Sequence, residues 1–252
     1  MTVSIARRVL AVIPARGDSR GLPGKNVREF AGLPLIAHSI LFARRIPAIT
    51  RVIVSTDSPE IAAVAVSFGA EVPFTRPAEL STDTAPTWAV IKHALGFLEE
   101  TDKDPYDFVV LLEPTSPARL TRYVDEALTL IEEEPSADGV VAVSQPDFNP
   151  LWRGVTKRDG WMQDLSTSAV TFDRRQSVPT VYRINGALYV WRSEFVRREQ
   201  ANWRVGRHLA YETPDLSSMS IDTLEDFQKA ELLVKGGMIT LEWLGPQPTV
   251  NG

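Results

Sequence analysis

Short apolar runs rich in β-branched residues alternate with helical patterns through the first half of the chain. VLAVI (residues 9–13), RVIVST (51–56), FVVLL (108–112) and VVAV (140–143) each read as a buried strand. Between them, Ser58 predicts a helix N-cap with Pro59 in the first turn, and Ile61, Val64, Ala65 and Phe68 share one face that ends at Gly69. Ile91, Ala94, Leu95 and Leu98 mark a second helix, and residues 121–134 a third. Such alternation predicts an α/β fold, a mostly parallel sheet with helices on its faces. At 252 residues, 44% of them hydrophobic, the chain is long enough for one sizeable core.

The rhythm breaks between residues 145 and 181, where aromatics, prolines and an Asp159-Gly160 turn predict hairpins instead of a further crossover. It resumes with ALYVW (187–191) and a last helix over 223–235. The expected organisation is therefore a core of residues 1–144 and 182–244, an insertion of 145–181 at a subunit contact, and a loose tail of 245–252. Trp152 and Trp161 suit either that contact or the domain's own core.

The first strand runs directly into ARGDSRGLPGKN (15–26), which joins three glycines to the cations Arg16, Arg20 and Lys25. Glycines let main-chain N–H groups approach a ligand closely, and fixed cations neutralise several anionic oxygens at once, so this loop suits a polyphosphate. It is neither of the familiar phosphate loops. The spacing of Gly17, Gly21 and Gly24 does not give G-x-G-x-x-G, and a P-loop needs Gly at Ser19 and Ser or Thr at Asn26. Gly17 to Gly21 does read G-x-S-x-G, the serine-hydrolase elbow. That motif requires a helix at once, whereas Leu22-Pro23-Gly24 argues for continued loop.

A formal charge of −5 excludes general attraction to nucleic acid or an anionic membrane, so the basic site is local and its ligand small. No stretch has the length of a membrane span, and the apolar run after Arg7-Arg8 is too short for a signal peptide. With no cysteine the chain fits a reducing compartment, and a cytoplasmic protein is expected. His38, His93 and His208 form no metal-ligand pair and are read as structural.

In open parallel sheets, ligands bind beyond the carboxyl ends of the strands. Four loops belong there: residues 14–26, 56–57, 113–119 and the turn before Thr223. Together with ARGDSRGLPGKN, the segments RPAELSTDTAP (76–86), LLEPTSPAR (111–119), RINGALYV (183–190) and SIDTLEDF (220–227) resemble the acylneuraminate cytidylyltransferases, the synthetases of CMP-sialic acid and related nonulosonates. Five ordered motifs span nearly the whole chain.

The resemblance implies a Rossmann-like nucleotidyltransferase, generally a homodimer, in which a sugar acid's anomeric hydroxyl attacks the α-phosphorus of CTP with the help of Mg²⁺. Its partners are then CTP and an acidic sugar acceptor. Lys25 and Arg16 match the family's phosphate-binding cations, Arg20 stands where many members carry lysine, and Ser19 and Asn26 fit the same loop. Arg76 and Ala85 match the cytosine-recognition positions, Thr87 and Thr115 positions near the acceptor, Arg183 and Asn185 the acceptor motif, and Arg175 an arginine supplied across the dimer interface. The residues also admit local roles: Thr84 as a helix N-cap, Arg183 as the anchor of a structural carboxylate, and Asp222 as an N-cap boxed with Glu225.

Three departures qualify the match. Ser220 replaces the first of two metal-binding aspartates, which leaves Asp222 as the expected Mg²⁺ ligand. Glu113 stands where sialic-acid synthetases commonly carry glutamine, and a carboxylate can only accept hydrogen bonds, so a different acceptor or a metal-ligating role is open. Trp152 replaces a basic residue found in some members, with Arg153 beside it. Another acidic acceptor, a serine hydrolase using Ser19, and a non-catalytic nucleotide-binding protein are the alternatives.

Overall fold

The computed structural model describes residues 7–18, 21–165, 174–200 and 202–245. Its elements are β1 (Val9–Pro14), β2 (Glu29–Phe30), β3 (Leu33–Pro34), α1 (Leu35–Arg44), β4 (Arg51–Ser55), α2 (Pro59–Ser67), α3 (Thr87–Asp102) and β5 (Phe108–Leu111). There follow α4 (Arg122–Glu133), β6 (Gly139–Ser144), α5 (Pro150–Arg153), β7 (Val155–Arg158), β8 (Trp161–Asp164), β9 (Arg183–Arg192), α6 (Ser193–Arg197), β10 (His208–Glu212) and α7 (Leu224–Lys235).

Six strands form the central sheet in the order β10-β6-β9-β5-β1-β4. β1 pairs in parallel with β4 and β5, and β10 in parallel with β6, while β9 is antiparallel to both β5 and β6. The strand read as resuming the rhythm thus enters the sheet reversed, because the chain returns to it from the 145–181 segment without a crossover helix. Along β1 the side chains alternate between two cores. Val9, Ala11 and Ile13 pack with residues of α1, α4 and α7, whereas Leu10 and Val12 pack with α3 and α6. Helices therefore cover both faces, and β1 is buried from either side.

The local punctuation follows the sequence in part. Ser58 caps α2 by accepting a hydrogen bond from the Ile61 N–H, with Pro59 at the first position. The cap of α3 is Pro86, with no side-chain bond, so Thr84 does not serve as an N-cap. The box at α7 is formed by Thr223 and Asp226, not by Asp222 and Glu225, which leaves the Asp222 side chain free for other partners. After β1 the described stretch 21–24 is bend and turn, and the first α-helix begins only at Leu35, so the strand–helix geometry of a hydrolase elbow is absent there.

β7 and β8 form the expected hairpin, with Asp159 (φ 52°) and Gly160 (φ 88°) both in the left-handed region that a two-residue turn requires. All eight strand residues are exposed, and Trp161 is 77% accessible in the single chain. Neither Trp152 nor Trp161 fills the domain's own core.

His38 of α1 is completely buried and ties the carboxyl-terminal part of the chain to the core. Its Nδ1 accepts from Trp243 Nε1 at 2.9 Å, so its Nε2 carries the proton donated to the Phe30 carbonyl at 2.8 Å. Burial holds its pKa below the ordinary value of 6.5, although the hydrogen bonds to the Phe30 and Leu33 carbonyls oppose this. The unfolded chain therefore binds the extra proton first as pH falls. The stability that depends on neutral His38 is complete above about pH 6.5 and declines below it by up to about 1.4 kcal/mol per pH unit. Urea unfolding followed by Trp fluorescence at pH 7.5 and 5.5 checks this, with His38→Gln expected to flatten the dependence.

Candidate functional site

The parallel registers Pro14↔Ser55 and Val12↔Leu111 bring the carboxyl ends of β1, β4 and β5 side by side. The loops that leave them enclose a cavity of about 300 Å³ lined by Arg16, Lys25, Asn26, Arg76, Asp83, Ala85, Thr87, Glu113 and Thr115, among others. Eight of these nine are residues that the sequence singled out; Asp83 is the addition.

The first loop is held in shape from several sides. Ala15 N–H donates to the Ser55 carbonyl at 3.0 Å, Gly17 N–H to Asp57 Oδ1 at 2.9 Å, and Asn26 Nδ2 to the Arg16 carbonyl at 3.1 Å. Gly24 adopts φ 66° as the chain turns into the short 3₁₀ segment that carries Lys25. Lys25 is buried, and its Nζ donates to the Ile221 carbonyl and to Asp222 Oδ1, each at 3.0 Å. Arg16 pairs with Asp83 at 2.5 Å. Ser19 and Arg20 lie outside the described residues.

Gly21 packs so closely on the last motif that a Cβ would fall 2.3 Å from the Asp222 carbonyl oxygen. Backbone cannot yield as a side-chain tip does. Gly21→Ala is expected to cost about 1–3 kcal/mol and, by displacing Lys25 from Asp222, to lower kcat at least about tenfold. Thermal unfolding and turnover of the variant measure the two effects separately.

Arg76 is buried against β4, where its Nε donates to Ser55 Oγ at 3.1 Å and its Nη2 to the Ser55 carbonyl. Burial pulls its pKa down to about 10, with Asp57 opposing and Arg16 adding to the shift. It remains a cation at neutral pH.

Glu113 follows β5. Burial raises its carboxyl above the ordinary range, Arg119 and Lys25 lower it and Asp222 raises it, so these groups share one electrostatic field. Arg119 is almost inaccessible and donates to three elements: Nε to the Ala187 carbonyl of β9, Nη1 to Ser39 Oγ of α1 at 2.9 Å, and Nη2 to the Glu113 carbonyl. Burial pulls its pKa down to about 9, against the carboxylate of Glu113. Gly186 (φ 71°) lies beside Glu113, since a Cβ there would come within 2.8 Å of Glu113 Oε2.

The last motif joins this centre through Ile221, whose N–H donates to the Thr115 carbonyl at 2.8 Å. Ser220 Oγ donates to Asp222 Oδ2 at 2.7 Å, so the serine supports the neighbouring carboxylate. Among the described residues no group of three or more His, Cys, Asp or Glu side chains is placed to hold a metal ion. Asp222 is a single, largely exposed carboxylate beside Lys25. Because Mg²⁺ commonly takes one or two carboxylates and completes its shell with waters and phosphate oxygens, that donor set fits it.

Arg183 and Asn185 do not line the cavity. Arg183 pairs with Asp215 at 2.6 Å, as the structural-anchor reading expected. The buried Asn185 donates to Thr213 Oγ1 at 2.8 Å and accepts from the Ala187 N–H at 3.1 Å, so its side chain braces β9. Arg175 opens a 3₁₀ turn, Arg175–Ser177, and its side chain lies outside the description. The sequence reading placed residues 56–57 and 113–119 at the strand ends but gave Asp57, Asp83 and Arg119 no individual role. All three sit inside segments it singled out, and nothing in their spacing signals the contacts they make.

A doubly covered, mostly parallel sheet whose strand ends gather three cations defines an α/β nucleotide-binding protein of the nucleotidyltransferase kind. The profile described as Cytidylyltransferase matches residues 10–236, and the chain belongs to that family, among its CMP-nonulosonate synthetases. CMP-N,N'-diacetyllegionaminic acid synthase of Legionella pneumophila is 36% identical over 189 residues, which cover 73% of this chain and 77% of that protein. Post-translational flagellin modification protein B of Campylobacter coli is 30% identical over 227 residues, 90% of this chain and 95% of that one. Among solved structures, CMP:2-keto-3-deoxy-manno-octonic acid synthetase complexed with CTP superposes with a TM-score of 0.67 at 18% identity, covering 91% of this chain and 99% of the other. At that identity the likeness is one of fold.

Proposed function

We propose that the chain transfers CMP from CTP to the anomeric hydroxyl of a sialic-acid-like nonulosonic acid and releases pyrophosphate. The observation that carries this reading is the convergence of Arg16, Lys25 and Arg76 with Thr87, Glu113 and Thr115 around one cavity at the strand ends. Lys25 and Arg16 hold the triphosphate, with Ser19, Arg20 and Asn26 completing the loop. Arg76 meets the cytosine, for which Ala85 leaves room.

The anomeric hydroxyl attacks the α-phosphorus in line and gives up its proton to solvent as the new P–O bond forms, while the bond from the α-phosphorus to the bridging oxygen breaks. Negative charge grows on the departing pyrophosphate, where fixed cations lower the barrier most. Asp222 is the residue that would hold Mg²⁺, whose charge would neutralise phosphate oxygens when bound. Thr87 and Thr115 face the acceptor, and Arg183 and Asn185 support that side through β9. Glu113 only accepts hydrogen bonds while ionised, which favours an acceptor that presents an N–H or hydroxyl there.

The exposed β7–β8 hairpin supports a homodimer, since Trp161 and Met162 offer apolar surface at its tip. Arg175 would then reach the neighbouring subunit's acceptor site. Sedimentation velocity tests the assembly. No helix among the described residues is long and apolar enough to cross a membrane, and on this reading the enzyme works in the cytoplasm.

The direct test is a pyrophosphate-release assay that crosses the four nucleoside triphosphates with neuraminic, legionaminic, pseudaminic and octulosonic acids. Turnover is expected with CTP and a nonulosonic acid and is expected to cease on chelation of Mg²⁺. Turnover of the octulosonic acid alone would move the chain to another acceptor class. No turnover with any pair would leave nucleotide binding without catalysis.

A further inference from the structure

Asp83 belongs to no role assigned above, yet it lines the cavity and pairs with Arg16 at 2.5 Å. Carboxylate and phosphate oxygens compete for the same guanidinium donors. The two side chains are 29% and 24% accessible, so the pair stands at the boundary with solvent, where ion pairs are weak and readily exchanged. A triphosphate that approaches Arg16 also repels the Asp83 carboxylate. Asp83 lies in the turn between Leu80 and α3, two residues before Ala85, so its displacement occurs in the same short segment that borders the base.

We propose that Asp83 is a resident substitute for phosphate on Arg16, one that yields when CTP binds and returns as pyrophosphate leaves. This rests on the reading of the cavity as the CTP site. Asp83 lowers the affinity of every ligand that places a phosphate on Arg16, and it favours departure of the product. CMP, which lacks the β- and γ-phosphates, does not sense it.

Calorimetric titration of the full chain with CTP, pyrophosphate and CMP tests the proposal in wild type, Asp83→Asn, Asp83→Ala, Arg16→Ala and the Arg16→Ala, Asp83→Asn double variant. The Kd of CTP and of pyrophosphate is expected to fall on the order of threefold to fivefold in both Asp83 variants, with CMP unchanged and a smaller gain when Asp83→Asn is made in the Arg16→Ala background. Unchanged or weaker CTP binding in both Asp83 variants would overturn the proposal, because Asp83 would then orient Arg16 for the phosphate. An equal gain for CMP would overturn it too. Undiminished CTP affinity in Arg16→Ala would instead remove Arg16 from the nucleotide site and contradict the reading on which the proposal stands.

Discussion

Lys25→Ala is expected to lower kcat/KM for CTP by about 10²- to 10³-fold while leaving the fold intact. Lys25 is the one lysine among the described residues that line the cavity, and the Ile221 carbonyl and Asp222 hold its ammonium in place before any ligand arrives. Charge fixed in advance costs no reorganisation as the leaving group forms, and its loss falls on the reaction step. The stability cost is about 1–3 kcal/mol, set by the buried Ile221 carbonyl, because the Asp222 side chain is 64% accessible and water can take over its unpaired oxygen. Lys25→Arg should recover little, since a planar fork does not reproduce a point charge held between a carbonyl and a carboxylate. Steady-state pyrophosphate release, with a thermal melt of the same samples, separates the two effects. A melting temperature lowered in proportion to the activity would assign Lys25 to the fold instead.

Arg119→Met should do the opposite and act first on stability. The guanidinium joins α1, β9 and the loop after β5 and is almost inaccessible to solvent. Removal strands the Ala187 carbonyl, takes one of three donors from the Glu113 carbonyl, and leaves Lys25 as the remaining cation that offsets the partly buried Glu113 carboxyl. A loss of about 3 kcal/mol or more follows, which in a chain of this size lowers Tm by roughly 6–12 °C. Arg119→Lys supplies one ammonium for three separate acceptors and should recover only part of the loss. Denaturant titration and calorimetry measure both variants, and a shift within about 1 °C would contradict the role given to Arg119 as a strut.

The sheet was legible because parallel strands covered on both faces are written as uninterrupted apolar runs. Where burial is one-sided the same signal fails, and where the chain reverses, as at β9, it marks the strand without its direction. β10 is a half-exposed edge strand, HLAYE, with no such run. In α1, eight of ten residues are buried, so it lacks the polar face that marks an amphipathic helix. The α7 cap shows a different limit. In DTLED both Asp222-x-x-Glu225 and Thr223-x-x-Asp226 fit a capping box, and only the demand of Lys25 on Asp222 in three dimensions separates them.

The site divides in the same way. Cations and small residues within one loop could be read from their types, and the cavity gathers Arg16, Lys25, Asn26, Arg76 and Ala85. Partners distant in sequence could not. Asp83 on Arg16, Asp57 on Gly17 and the Arg119 strut are separated from the groups they serve by 67, 40 and up to 80 positions. Arg183 and Asn185 carried the right residue types, yet the fold engages both side chains in bracing β9 and its neighbours.

The most direct test of the account is a crystal structure of the protein with CTP and Mg²⁺. It predicts the triphosphate against Lys25 and Arg16 beside β1 and the cytosine toward Arg76 and Ala85. Phosphates bound instead in the separate cavity of about 470 Å³ between Gln145 and Val181 would contradict it.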